Sequence, residues 1–249
     1  MPIILKSRDE IAIMRGAGRI VAETLQKLAD QLRPGLPGKE LDETVRREFR
    51  KLGVVPTFLG YQGYPAAVCV SINDEIVHGI PGDREIKDGD IVSIDLGCTY
   101  KGFVADAAVT VGVGEISAEA QHLIERTREA LWRGIAAARA GARVGAIGAA
   151  IQTFVEGEGL AVIREYVGHG VGRQMHEDPP VPNYGSSDSG PVLRPSMVLA
   201  IEPMVSTGDW HTKRDSDNWT VRTVDGSLSA HFEHTIAITD GEAEVLTLP

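Results

Sequence analysis

Two aspartates open the chemical reading of this chain. They sit in the segments Ile91-Val92-Ser93-Ile94-Asp95-Leu96-Gly97 and Gly102-Phe103-Val104-Ala105-Asp106-Ala107-Ala108-Val109. Both segments alternate like strands, and only a short connection separates them, so they read as a hairpin. A turn centred on Tyr100 and Lys101 sets Asp95 opposite Asp106, Ser93 opposite Ala108 and Ile91 opposite Thr110. The other face then collects Val92, Ile94 and Leu96 against Ala105, Ala107 and Val109. That face is uniformly apolar, so the register is self-consistent. Directly opposed residues have Cβ atoms roughly 4.5–5.5 Å apart. Two carboxylates that close repel each other unless a proton or a cation lies between them. Their neighbours on the same face, Ser93, Gly97, Val104 and Ala108, are small and leave room. A divalent cation takes oxygen ligands of this kind. The plainer alternative is a solvent-facing pair of ordinary acidity.

Three more residues have suitable chemistry. Glu202 interrupts the apolar run from Met197 to Met204, and Glu233 sits in Phe232-Glu233-His234-Thr235-Ile236-Ala237-Ile238. A carboxylate in an apolar strand is costly to bury unless it is paired or bound to metal. The plain reading of each is a residue that an alternating strand shows to water. His169 lies in Gly168-His169-Gly170-Val171-Gly172-Arg173-Gln174-Met175-His176, where glycines let the backbone pass close to something bulky. This run lacks the Gly-Lys-Ser/Thr ending of a phosphate loop, and its histidines are not spaced as in a helical HExxH zinc motif. No GxSxG elbow is present, and neither Cys69 nor Cys98 carries a nucleophile signature. The set amounts to four carboxylates and one imidazole. Two divalent ions would close it electrically neutral, and one would not.

These residues need a scaffold. Ser7-Arg8-Asp9-Glu10 has the form of a capping box. Ile11, Met14, Ile20, Val21, Leu25 and Leu28 then recur at helical spacing until Pro34-Gly35. The pattern predicts further helices over 38–52, 117–140 and 144–158. It predicts strands over 67–72, 160–167, 197–202 and 227–238. Helix pair, strands, helix pair, strands is a weak two-fold rhythm, and it predicts an α+β fold with an antiparallel sheet backed by helices. The chain has 249 residues and 43% apolar content, which fits one catalytic domain over 1–249. A net charge of -10 disfavours nucleic-acid binding through a broad basic face. The cluster Arg46-Arg47-Arg50-Lys51 reads as a solvated helix face. Two cysteines without a CxxC pair build neither a disulfide scaffold nor a thiolate zinc site, so free thiols are expected. The start MPIILKSRDE has only a short apolar run, and no stretch approaches the length of a membrane span. The expected location is the cytoplasm, with no membrane association.

The segments VCVSINDEIVHGIP from Val68 to Pro81, Ser93 to Gly97, Gly168 to His176, IEPM from Ile201 to Met204 and SAHFEHT from Ser229 to Thr235 resemble methionine aminopeptidase. The resemblance covers the whole chain, and the compact length is similar to the bacterial type I form. It implies the pita-bread (creatinase/aminopeptidase) fold, with pseudo-two-fold halves around a curved antiparallel sheet. It implies two divalent metal ions drawn from Co, Mn, Fe, Zn and Ni. Asp95 would hold one ion, His169 and Glu202 the other, and Asp106 and Glu233 would bridge both. A bridging water or hydroxide would be the nucleophile, with Glu202 shuttling its proton. His176 would hold the substrate carbonyl or oxyanion, and His78 would contact the scissile nitrogen. Phe58, Tyr61, Tyr64, Cys69, Met175 and Trp219 would line the methionine pocket, a setting that suits a polarizable thioether. Asn73 and Ser229 would form a monovalent-cation site.

The resemblance further implies a monomer acting on nascent or peptide N-termini with a small second residue, in transient association with the ribosome. Departures from the family pattern are Gln62 where many relatives have His, His231 for a usual Gln, and Met175 for a common aromatic. One alternative is a proline-specific aminopeptidase or prolidase. Those relatives carry an extra domain before the catalytic one, whereas here Ser7 already starts the first helix. The other alternative is a non-catalytic binding protein of the same fold, which is expected to have lost ligands that this chain keeps.

Overall fold

The computed structural model describes residues 2–249. Two helices come first, α1 (Arg8–Gln31) and α2 (Lys39–Leu52). The capping box that starts α1 is formed. Ser7 accepts from the Glu10 N–H, and the Glu10 carboxylate accepts from the Ser7 N–H. Gly53 ends α2 in the left-handed conformation at φ 66°, a common C-terminal stop. Then come β1 (Val55–Pro56), a 3-10 turn at Tyr61–Gly63, β2 (Cys69–Ile72) and β3 (Glu75–Val77). The hairpin follows as β4 (Ile91–Tyr100) and β5 (Phe103–Gly112).

The second half repeats the order with α3 (Ala118–Ala137) and α4 (Val144–Gly157). Short strands succeed them: β6 (Ala161–Val162), β7 (Gly168–Gly170), β8 (Glu177–Val181), β9 (Val198–Ile201) and β10 (Met204–Ser206). The remainder are β11 (Thr212–Arg214), β12 (Val221–Thr223), β13 (Ser229–His231), β14 (Glu233–Ala237) and β15 (Glu244–Val245). The main sheet runs β1-β4-β5-β14-β9-β7-β8, with β2 beside β4 and β15 beside β14. Its pairings are antiparallel, as expected for this α+β arrangement.

One face of this sheet is covered by helices. Ala17, Val21, Leu25 and Leu28 of α1 and Leu41, Val45 and Phe49 of α2 bury against Val92, Ile94, Leu96, Ala105 and Ala107. In the second half, Leu123, Leu131 and Ile135 of α3 and Ile147, Ile151 and Val155 of α4 bury against Leu199, Ile201 and Ile236. Side chains alternate across a strand, so Ser93, Asp95 and Gly97 point to the face the helices leave open.

The expected hairpin register needs correction. The turn is the two-residue Lys101-Gly102, with φ 49° and 80°, and Tyr100 pairs with Phe103. Positive φ at both central positions matches the twist of the flanking strands. Asp106 therefore faces Gly97, Asp95 faces Ala108 and Ser93 faces Thr110. The pairing is offset by two residues from the expected one. An even offset keeps every side chain on its own face, so both aspartates still share the open face, as diagonal neighbours. Two strand expectations also change. The stretch 160–167 contributes only Ala161–Val162, and 227–238 breaks at Phe232 into β13 and β14, which belong to different sheets. The break lets one segment serve two sheets that meet at the site.

A buried ion pair ties the N-terminal segment to the start of β8. Lys6 Nζ lies 2.7 Å from Glu177 Oε2, with side-chain exposures of 4% and 7%. Lys6 Nζ also donates to the Ile4 carbonyl, and Glu177 Oε1 accepts from the Gln174 N–H. A Cβ on Gly172 would fall 2.5 Å from Glu177 Oε1 and 2.6 Å from Lys6 Cε, so a side chain there would have to displace the pair.

Candidate active site

The open face gathers ionisable groups from four strands and one strand end. Asp95 comes from β4, Asp106 from β5, His169 from β7 and Glu233 from β14, and Glu202 follows β9. Ligand atoms of Asp106, His169 and Glu233 all lie within 4.8 Å of one another, and all three residues are buried. His169 Nε2 is 3.5 Å from Glu202 Oε1. Asp95 lies close enough to Asp106 and Glu202 for their charges to raise its pKa. All five predicted residues thus converge.

Glycines make this approach possible. A Cβ on Gly168 would sit 2.4 Å from the Ala200 carbonyl oxygen, and one on Gly170 would sit 2.3 Å from that of Asp178. With no side chains there, β7 slots between β8 and β9 and carries His169 inward. A Cβ on Gly97 would meet Phe58 at 2.9 Å and Asp106 Oδ1 at 3.3 Å.

The electrostatics call for a cation. Burial raises the pKa of Asp95, Asp106, Glu202 and Glu233. The negative charge of Asp106 adds to the rise at Asp95, Glu202 and Glu233. Asp95 Oδ1, Asp106 Oδ1 and Glu233 Oε1 are buried and have no hydrogen-bond partner. Orphaned buried acceptors of like charge are expensive, and no Lys or Arg pairs with them. Burial depresses His169 to a pKa of about 3, so its imidazole is neutral. Its Nδ1 lies 2.9 Å from the Gly170 carbonyl oxygen, which orients the ring and leaves Nε2 towards the carboxylates. Carboxylate oxygens with one imidazole nitrogen suit a divalent transition metal.

Beside this cluster is a cavity of about 140 Å³. Its walls include all six residues expected to line the methionine pocket, together with Gln62, His78, His176 and Asp95. Phe58, Tyr64, Cys69 and Met175 pack together, and Trp219 meets Tyr64 edge-on at 5.1 Å. This is well below the roughly 300–1,000 Å³ of a drug-sized site, a scale suited to one side chain. His176 stands at the mouth. Its ring is 4.2 Å from that of His169, and its Nδ1 is 2.7 Å from the Tyr61 hydroxyl. Partial desolvation lowers its pKa. His78 has the unusual φ of 61°, and burial, aided by His176 and Arg214, lowers its pKa to about 4. Positive φ at a non-glycine residue is uncommon and clusters at functional sites.

Both thiols are free and buried, as expected. Asn73 and Ser229 are brought together, because the Ser229 N–H donates to the Asn73 carbonyl. The Asn73 side chain is engaged by Asp90 and by the Ile91 N–H, and the Ser229 hydroxyl donates to the Val205 carbonyl. His231 is buried, and its Nε2 is 3.7 Å from Glu202 Oε2.

Sequence reasoning missed two supports. Buried Asn183 donates to the Glu202 carbonyl at 3.0 Å, and nothing local marks it. The Thr235 hydroxyl donates to the Asp106 carbonyl and accepts from its N–H, which locks β5 to β14. Thr235 lies two residues from Glu233, on the same face of its strand, so alternation pointed to it.

The sequence profile of metallopeptidase family M24 matches residues 12–240. The chain belongs to this family. Methionine aminopeptidase 1 of Bacillus subtilis (strain 168) is 52% identical over 245 residues, covering 98% of this chain and 99% of the relative. The crystal structure of a methionine aminopeptidase from Thermotoga maritima superposes with a TM-score of 0.98 at 48% identity, over 100% of both chains. The methionine aminopeptidase resemblance read from the motifs is borne out, and with it the pita-bread fold. A prolidase from Pyrococcus horikoshii OT3 shares the fold at a TM-score of 0.78 and 24% identity, with 63% of that chain covered. Membership in M24 makes the chain a metallopeptidase, and the buried carboxylate cluster fits divalent metal. Among the described residues, no helix is long and apolar enough to cross a membrane.

Proposed function

We propose that this chain removes the initiator methionine from nascent proteins and peptides when the second residue is small. One observation carries the reading. The small apolar cavity opens directly onto the carboxylate cluster, with Asp95, His78 and His176 at the junction. A methionine side chain seated there leaves its scissile bond beside the cluster. Clear homology to methionine aminopeptidases supports the same activity.

Each residue has a definite task in this reading. Asp95, Asp106, His169, Glu202 and Glu233 hold two divalent ions, the number that neutralises four carboxylates. Bound there, the ions supply positive charge to polarise the scissile carbonyl and to acidify water towards neutral pH. Glu202 would take a proton from the attacking water and return it to the leaving amine. His176 donates a hydrogen bond to the carbonyl oxygen. His78, neutral at physiological pH, contacts the scissile nitrogen. Phe58, Tyr61, Tyr64, Cys69, Met175 and Trp219 grip the thioether. Asn73 and Ser229 border a monovalent cation that braces the backbone.

The same reading takes residues 1–249 as one catalytic domain, working as a cytoplasmic monomer with transient access to the ribosome. The in vivo ion is one of Co, Mn, Fe, Zn and Ni. The test is hydrolysis of Met-Ala-Ser, Met-Leu-Ser and Ala-Pro by the metal-replete protein. Met-Ala-Ser should be cleaved and Met-Leu-Ser scarcely. Equal cleavage of the two, or preference for Ala-Pro, rejects the assignment.

A further inference from the structure

The Tyr61 phenol does more than wall the cavity. Its hydroxyl meets His176 Nδ1 at 2.7 Å, with the ring centroids 5.5 Å apart. The backbone around it is braced. The Tyr61 N–H donates to the Phe58 carbonyl at 2.9 Å, and the Tyr64 N–H donates to the Tyr61 carbonyl at 2.9 Å. The His176 ring also lies against His169, 4.2 Å between centroids.

A neutral imidazole has one donor nitrogen and one acceptor nitrogen, and its partners choose which is which. A phenol is the more acidic donor of this pair, and an imidazole lone pair is the more basic acceptor. The hydroxyl therefore donates to Nδ1, and the hydrogen of His176 goes to Nε2. The opposite arrangement would turn a bare Nε2 lone pair towards a substrate oxygen, and two acceptors would face each other. We infer that Tyr61 is a positioning residue that holds His176 in the Nε2–H tautomer, so that the imidazole offers a donor to the scissile carbonyl oxygen. This rests on the reading of His176 as the carbonyl-binding residue. It assigns the tyrosine hydroxyl a task separate from that of its ring.

Tyr61→Phe separates the two tasks, since the ring that lines the pocket stays. The measurement uses the full chain loaded with Zn, a diamagnetic ion, and labelled with 15N-histidine. In the unmodified protein the His176 signals should show hydrogen on Nε2 and none on Nδ1. In Tyr61→Phe they should move towards a mixed or averaged pattern. For Met-Ala-Ser, kcat should fall about five- to ten-fold, the scale of one hydrogen bond, while KM changes less than about two-fold. Hydrogen on Nδ1 in the unmodified protein overturns the inference. So does a Tyr61→Phe variant with unchanged spectrum and kcat, or one that raises KM alone. A His176→Ala control tells the two levels apart. If it keeps full kcat, the carbonyl-binding role of His176 falls and the inference falls with it. If it loses kcat while Tyr61→Phe does not, only the inference falls.

Discussion

Replacing Lys6 by Met should destabilise the protein far more than a surface substitution would. The methionine keeps an apolar stem of similar length and removes only the ammonium. It leaves Glu177 charged, 7% exposed and without its partner at 2.7 Å. Removing one member of a buried pair costs about 3–5 kcal/mol, because the other charge stays desolvated. In a domain of about this size each kcal/mol shifts Tm by about 2–4 °C, so the expected fall is about 6–20 °C. Glu177 follows His176 directly, and its carboxylate also anchors the Gln174 N–H. The loop carrying Met175 and His176 should therefore loosen, and kcat/KM for Met-Ala-Ser should drop even where the protein is fully folded. Scanning calorimetry on metal-loaded Lys6→Met, Glu177→Gln and the double variant is the assay. The double variant should recover more than half of the Tm lost by Lys6→Met, since no unpaired charge remains. A Lys6→Met Tm within 2 °C of the parent, or a double variant no better than Lys6→Met alone, refutes the reasoning.

The metal-free protein should lose stability as pH rises from about 7 to about 8, above the range in which the histidines that burial holds neutral in the folded state oppose the effect. Desolvation and mutual repulsion raise Asp95, Glu202 and Glu233 in the folded state, so it binds more protons than the unfolded chain across that range. Stability then declines with rising pH. Thermal melts of chelator-treated protein across this window should show the decline, and metal-loaded protein should not. A flat profile without metal contradicts the electrostatic account. Glu202→Gln, verified as fully metallated by elemental analysis, should lose turnover of Met-Ala-Ser by at least about 100-fold, the scale of general acid–base catalysis. Normal turnover in that variant removes Glu202 from proton transfer.

The parts of the fold legible in the sequence were those set by local rules. The capping box, the four helices and the Gly53 stop depend on residues a few positions apart. The aspartate pair was half legible. Strand alternation placed Asp95 and Asp106 on one face, because parity survives an even slip. The register itself was set by Lys101-Gly102, and a lysine at positive φ hides the usual asparagine–glycine signal of such a turn. His169 and Glu233, on strands, and Glu202, just after β9, meet only after folding, so motif resemblance and not spacing joined them to the pair. Asn183 and the Lys6–Glu177 pair left no trace, since each links residues far apart in sequence through a contact that no periodicity encodes. Phe232 was missed as a break because Ser229 to Glu233 alternates polar and apolar as one continuous strand would.

The clustered residues are divided unequally between the halves of the chain. Asp95 and Asp106 lie on one early hairpin, while His169, Glu202 and Glu233 are spread over the second half. Neither half assembles the cluster alone. During synthesis the hairpin emerges first with only two of the five residues, and the set closes when β14 pairs with β5. Capture of a metal by the full set therefore requires the docking of both halves. A divalent metal held by this cluster would mark completed assembly rather than seed it.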